Sequence, residues 1–137
     1  MMMDIASVLL RLALASGFLS AVASRLKLLY KTTSGWSGFL DYTAQVNSFL
    51  PKAVIPTVAV TATVLEAGFA LLLLVGYQTR FAACGSAALT LLFALAMAVS
   101  YGIKEPLDYS VFAFSAGAFL LATLPSYKWS IDQLLTK

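Results

Sequence analysis

Two ionisable side chains stand in stretches of this chain that otherwise read as hydrocarbon. Glu66 lies near the middle of the apolar run over residues 55–76, in TVAVTATVLEAGFALLLLVG, where its only polar neighbours are small hydroxyls. Arg11 lies a few residues into the first apolar run. A charge near the centre of a membrane helix costs about 3 kcal/mol or more to insert, so a chain that keeps one usually turns it into a bundle and uses it. A carboxyl group in such a place can exchange protons, and a guanidinium can hold an anionic or carbonyl-bearing group. Three more candidates sit at run ends: Arg80, which opens the third run, and Asp108 and Tyr109, within the charged turn Lys104-Glu105-Pro106-Leu107-Asp108-Tyr109-Ser110.

The elements that must position these groups follow from composition. Of 137 residues, 61% are hydrophobic and 11% charged, and the mean hydropathy is +0.89. Soluble domains carry about a quarter charged residues, so the chain reads as one integral membrane domain over residues 1–137, embedded in a lipid bilayer. The net charge of +3 is scattered, with no basic run of the kind that binds nucleic acid. Histidine is absent and Cys84 is the only cysteine, which removes the usual haem, zinc and iron–sulfur ligand sets and any internal disulfide. Cys84 itself reads as a small packing residue in an alanine-rich helix. A redox role would therefore use a bound organic cofactor or a partner chain.

Four spans are expected, over about residues 5–24, 55–76, 80–101 and 108–124. Backbone groups in lipid must bond within their own segment, so these runs are expected to be helical, each long enough to cross. The first run has no positive charge before it and is longer than a signal-peptide core, so it is read as a span. Tyr77, Tyr101, Tyr109 and Tyr127 fall at span ends, Tyr30, Trp36 and Tyr42 lie in the first connection, and Trp129 follows the last span, the pattern of rings anchored at headgroup level. Tyr77-Gln78-Thr79 leaves almost no loop, so the second and third spans form a tight hairpin after Gly76. The long first connection carries apolar residues at helical spacing over about residues 37–50, stopped by Pro51, and is read as an amphipathic helix lying on the membrane or over the bundle mouth. The tail from Lys128 to Lys137 reads as a short amphipathic end without a role.

Small residues recur every four positions, as Ala13, Gly17 and Ala21, then Ala59, Thr63 and Ala67, then Ala82, Ser86, Thr90, Ala94 and Ala98. Such stripes let membrane helices approach closely. The expected fold is all-α, a four-helix transmembrane bundle with an amphipathic helix in the first connection. Both termini then share one side with Arg80, Lys128 and Lys137, while Arg25, Lys27, Lys31, Lys52 and Lys104 lie on the other, which weakly favours a cytoplasmic first connection.

Within this bundle Arg11 and Glu66 belong to antiparallel neighbours. Counted from the terminal side, Arg11 is about 9 Å deep and Glu66 about 15 Å, a gap an arginine can bridge. An Arg11–Glu66 pair is expected, either as a packing device or as a proton-accepting carboxylate and fixed cation facing a polar headgroup. Arg80 either snorkels to the interface or joins Arg11 in attracting an anionic or carbonyl-bearing ligand. Asp108 is expected to cap the fourth span, and with Tyr109 it either does only that or lines the bundle mouth.

LLRLALASGFLSAV in the first span and ATVLEAGFALLLLVGYQTRFAACG across the second and third resemble the DoxX family of small four-span membrane proteins, a resemblance that runs over about residues 8–124. Glu66, Gly76, Thr79 and Arg80 match that family's pattern, and Arg11 matches the arginine of its first span. The resemblance implies a multi-pass protein of the bacterial cytoplasmic (inner) membrane, linked to sulfur or respiratory redox chemistry. It implies a quinone as electron acceptor and a soluble or membrane redox partner. Arg11 or Glu66 would then bond the quinone oxygens, with Glu66 exchanging protons. Two other readings stand beside it: a small proton-coupled transporter using Glu66, and a non-catalytic assembly protein. Whether the chain is itself an enzyme, and whether it forms a homo-oligomer, stay open.

Overall fold

The computed structural model describes residues 1–27 and 35–136; Tyr30 and Lys31, placed above in the first connection, and Lys137 lie outside the described residues. Among the described residues the α-helices follow in order as α1 (Met2–Arg25), α2 (Gly35–Val46), α3 (Ile55–Val75), α4 (Thr79–Tyr101), α5 (Lys104–Asp108), α6 (Val111–Ala122) and α7 (Ile131–Leu135), with a 3₁₀ turn at Lys52–Val54. There is no strand among the described residues. Among the described residues three helices, α1, α3 and α4, are long and apolar enough to cross a membrane. At 1.5 Å per residue they measure roughly 32–36 Å, against a hydrocarbon layer of about 30 Å.

The fourth run departs from expectation. It does not form one helix from residue 108 to residue 124, because Ser110 adopts a left-handed backbone (φ 56°) that separates α5 from the 12-residue α6. Asp108 therefore closes α5, where it pairs with Lys104 one turn earlier, and Ser110 takes the position before α6 with no side-chain cap. Pro106 sits at the third position of α5, within the first turn, where its missing N–H has no helical partner to lose. The chain stops being α4 at Gly102, whose φ of +95° ends the helix.

Packing is led by α4 against α6 and by α1 against α3, with α3 and α4 closing the hairpin. The core joins Leu14, Phe18, Phe69, Leu73 and Leu121 to small residues of α4, chiefly Ala82, Ala83 and Ala87. The α4 stripe behaves as its spacing suggested: Ala82, Ser86, Thr90 and Ala94 are all buried. Gly85 belongs to the same close approach, since a Cβ there would run into the ring of Phe69. The α1 stripe does not behave so, because Ala13 and Gly17 are exposed. That helix instead buries Ser7, Arg11, Leu14, Ala15, Phe18 and Ala23, so its inner face mixes large and small side chains on a stripe other than that of Ala13 and Gly17.

α2 ends at Val46, four residues before its expected limit, and buries Thr43 and Val46. It packs against α1, α3 and α4 at the end of the molecule away from the chain termini. Tyr42 meets Phe93 of α4 with ring centroids 6.3 Å apart, and the Tyr101 hydroxyl donates to Gln45. At the other end, the tail is far from bland. Tyr127 and Ser130 are buried, and the backbone N–H of Asp132 donates to Gly76 O at 2.8 Å, so the tail folds back onto the α3–α4 turn. Gly76 accommodates that contact. Its φ of +71° is left-handed, and a Cβ would strike Ser130 and lie 2.6 Å from Arg11 Nη2.

Candidate functional site

Every helix ends with backbone groups that its own ladder cannot satisfy, and in lipid those groups have no water to turn to. The terminal face of this protein is organised around that problem. At the C-terminus of α3, Leu72 O accepts from the N–H groups of Gly76 and Tyr77, which leaves the carbonyls of Leu73 and Leu74. Arg11 takes both, with Nε donating to Leu73 O at 3.0 Å and Nη2 to Leu74 O at 3.3 Å. Its Nη1 donates to Lys128 O at 3.2 Å and Trp129 O at 3.4 Å in the tail. Arg11 is only 3% exposed, so its charge is held by carbonyls and by the negative end of a helix dipole.

Arg80 does the same for α6, with Nε donating to Ala122 O at 3.1 Å and Nη2 to Leu124 O at 2.9 Å. The opposite pole is satisfied in the opposite sense. At the N-terminus of α4, the Asp132 carboxylate accepts from Gln78 N at 2.7 Å and Thr79 N at 2.8 Å. Burial alone would raise the Asp132 carboxyl, but the hydrogen bonds from Thr79 and Gln78 and the charge of Arg11 outweigh it and hold it below its ordinary value. Tyr127 moves the other way, since burial raises its phenol despite the nearby Arg80.

The expected Arg11–Glu66 pair is not formed. Antiparallel register sets Arg11 beside Leu73 and Leu74, about two turns of α3 from Glu66, which is beyond the reach of its side chain. Glu66 is met instead by Arg25, from the last turn of α1. Arg25 Nη1 donates both to the Glu66 carboxylate and, at 2.9 Å, to Thr63 Oγ1, and Thr63 Oγ1 in turn donates to Ala59 O at 2.9 Å. The pair is mostly shielded, with the Arg25 side chain 10% exposed and that of Glu66 16%. The guanidinium carbon lies 3.7 Å from the ring centroid of Phe39, so α2 supplies an aromatic face against the cation. Beside this cluster a cavity of about 370 Å³ opens between α1 and α2, lined by Ala21, Ser24, Arg25, Gly38, Phe39 and Tyr42 among others.

The sequence candidates thus divide three ways. Glu66 turns inward as expected, with a different arginine. Arg11 and Arg80 share the terminal face as expected but serve two different helix ends. Asp108 and Tyr109 are 53% and 67% exposed and join neither cluster. Two residues of evident consequence escaped the sequence reading. Arg25 entered only as one of the basic residues that bear on orientation, although Arg11, Phe18 and Arg25 follow a seven-residue spacing that keeps them on one face of α1. Asp132 looked like part of a solvated tail, although Ser130 with Gln133 three residues on is a helix-start signature. Ser130 Oγ does accept from Gln133 N at 3.1 Å.

Three long apolar helices, a shorter apolar fourth, and charges satisfied inside the protein define a multi-pass helical membrane protein. No curated protein and no solved structure matches the chain. The DoxX family model matches residues 6–99, more than half of the sequence, and the chain belongs to that family. The match spans α1 to α4 and so includes Arg11, Arg25, Glu66, Gly76 and Arg80, whereas α5, α6 and the docked tail lie beyond it.

Proposed function

We propose that this protein is a quinone-facing membrane subunit that works with a redox partner, and that the Arg25–Glu66 cluster beneath α2 is its quinone site. The observation that carries the reading is an arginine–carboxyl pair placed partway into the bundle, beside a cavity walled by Phe39 and Tyr42. The residues suit such a ligand. Arg25 can donate to a carbonyl oxygen, the two aromatic rings offer faces to a flat head, and about 370 Å³ accommodates one ring. A bound quinone would supply two-electron, two-proton redox chemistry. Electrons come from the partner's own redox centre. The part of this chain is to hold the oxygen with Arg25 and to exchange protons at the Glu66 carboxylate, with Thr63 fixing the guanidinium.

On this reading α5 and α6 together make the fourth crossing of a four-helix membrane domain, and α2 is an amphipathic cover at its mouth. The family resemblance points to the bacterial inner membrane, and the basic residues around the first connection favour its cytoplasmic side. Coupled cation transport needs a carboxylate free to accept a cationic substrate, and the Arg25 contact already neutralises Glu66, which favours the quinone reading over the transporter. The test is quinone content. Lipid extracts of the purified protein should contain quinone, and Glu66→Gln and Arg25→Gln should each deplete it. Unchanged content in both variants would remove the basis for the site.

A further inference from the structure

The strongest unassigned feature lies on the opposite face from the Arg25–Glu66 cluster. A cleft of about 590 Å³ is formed where the α3–α4 turn, the end of α6 and the tail converge, with Arg80, Pro125, Tyr127, Lys128, Gln133 and Leu135 among its lining residues. Its charges are unequal in availability. Asp132, the one acidic side chain among the described residues of the lining, already accepts two backbone N–H groups with its two oxygens. Arg80 uses two of its donors on the carbonyls of α6, out of the five a guanidinium carries. Lys128 is 52% exposed and touches Asp4 only at 3.4 Å, with three donors on its ammonium. The charge left available among the described residues of the cleft is therefore cationic.

The rim has the other half of an amphiphile's requirement. Leu135 in the lining is 67% exposed, and Trp129, Ile131 and Leu134 of the same tail are 64%, 37% and 68% exposed. Tyr77, Tyr127 and Trp129 lie at this level, where α3 ends and α4 begins, which is the depth of lipid headgroups for helices of this length. A soluble anion would use the cations and leave the apolar rim in water. A ligand with an anionic head and a hydrocarbon body uses both.

We propose that this cleft binds the phosphodiester headgroup of an anionic membrane lipid, with Arg80 and Lys128 as its phosphate donors and the exposed leucines of the tail against its acyl chains. The test is native mass spectrometry of the full chain released from phosphatidylcholine nanodiscs containing a minority of phosphatidylglycerol. One phosphatidylglycerol should be retained per chain in preference to phosphatidylcholine. Lys128→Gln should lower that retention about fivefold, the factor one cation contributes near an anionic headgroup layer, and should leave the detergent unfolding midpoint unchanged. Lys104→Gln, on the far face and 84% exposed, should change nothing. Arg80→Gln is read beside its unfolding midpoint, because Arg80 also secures α6; retention lost with the midpoint preserved supports the site. Equal retention of the two lipids, no effect of Lys128→Gln, or an equal effect of Lys104→Gln overturns the proposal. Displacement of the lipid by excess glycerol phosphate would also overturn it, since recognition would then belong to the phosphate alone.

Discussion

Arg11 and Arg25 lie on one face of α1, two heptads and about 21 Å apart along its axis, yet their guanidinium groups end in opposite surroundings. Arg11 donates to four carbonyls belonging to α3 and the tail, and it is almost wholly buried. Arg25 donates to a carboxylate and a hydroxyl beneath an aromatic ring, next to a cavity. A guanidinium bonded only to main-chain oxygens joins elements that cannot change protonation, so it can act only as a fastener. One bonded to a carboxylate shares its partner with any proton or polar ligand that reaches the cavity. The nature of the acceptor separates these two arginines.

That contrast is broken most severely at Arg11. Arg11→Met keeps the apolar bulk and removes every bond to Leu73, Leu74, Lys128 and Trp129, leaving buried helix-end carbonyls without donors. A loss of about 3–5 kcal/mol is expected, as for breaking other buried charged networks. Titration with dodecyl sulfate, following helix loss, measures it. Arg11→Lys should recover little, because an ammonium cannot span these acceptors as the planar fork does. Next comes Gly76→Ala, expected to cost about 2 kcal/mol, since it combines a left-handed backbone with contacts on Ser130 and Arg11. Faster proteolysis of the tail in this variant would show that the contact has opened.

The Arg25–Glu66 pair should respond more mildly. Arg25 sits in the last turn of α1, so without its partner it can turn toward the headgroups, and Glu66→Gln is expected to cost about 1–2 kcal/mol. Double-variant cycles sharpen the comparison. Arg25→Gln with Glu66→Gln should show a coupling of about 1 kcal/mol, whereas Arg11→Met with Glu66→Gln should add within about 0.5 kcal/mol because the two share no partner. Measurable coupling between Arg11 and Glu66 would contradict the register described above.

These residues also show what the sequence made legible. Hydropathy and length located α1, α3 and α4, and the cost of burying a carboxylate correctly turned Glu66 inward. The partner was not legible in the same way, because depth counted from run ends does not include the axial stagger between α1 and α3. A few residues of stagger exchange one arginine for another. The break at Ser110 was hidden for a related reason: Asp108 stands where a helix cap is expected just before the apolar run that begins at Val111, and only the backbone angle records the interruption. The tail was misread because, apart from the buried ring of Tyr127, its anchors are polar. They are the carboxylate and main-chain N–H of Asp132 aimed at the α3–α4 turn and the Lys128 and Trp129 carbonyls met by Arg11, and composition carries no trace of that aim.

The smallest expected effect concerns that carboxylate and gives the comparison a pH axis. Asp132 is held below its ordinary value of 3.8 in the folded protein. The unfolded chain therefore binds its proton more readily, and the stabilisation from Asp132 is fully present above pH 3.8 and declines as pH falls through the lower folded value. The size should be about 1 kcal/mol, that of a carboxylate receiving the first N–H groups of a helix. Asp132→Asn should lower tail protection at neutral pH by about that amount and remove its acid dependence, read as hydrogen exchange of the Gln78 and Thr79 amides. Arg11, bonded to carbonyls, brings no titration of its own to this range. Acid release of the tail that persists unchanged in Asp132→Asn would mean that another group holds the terminal face together.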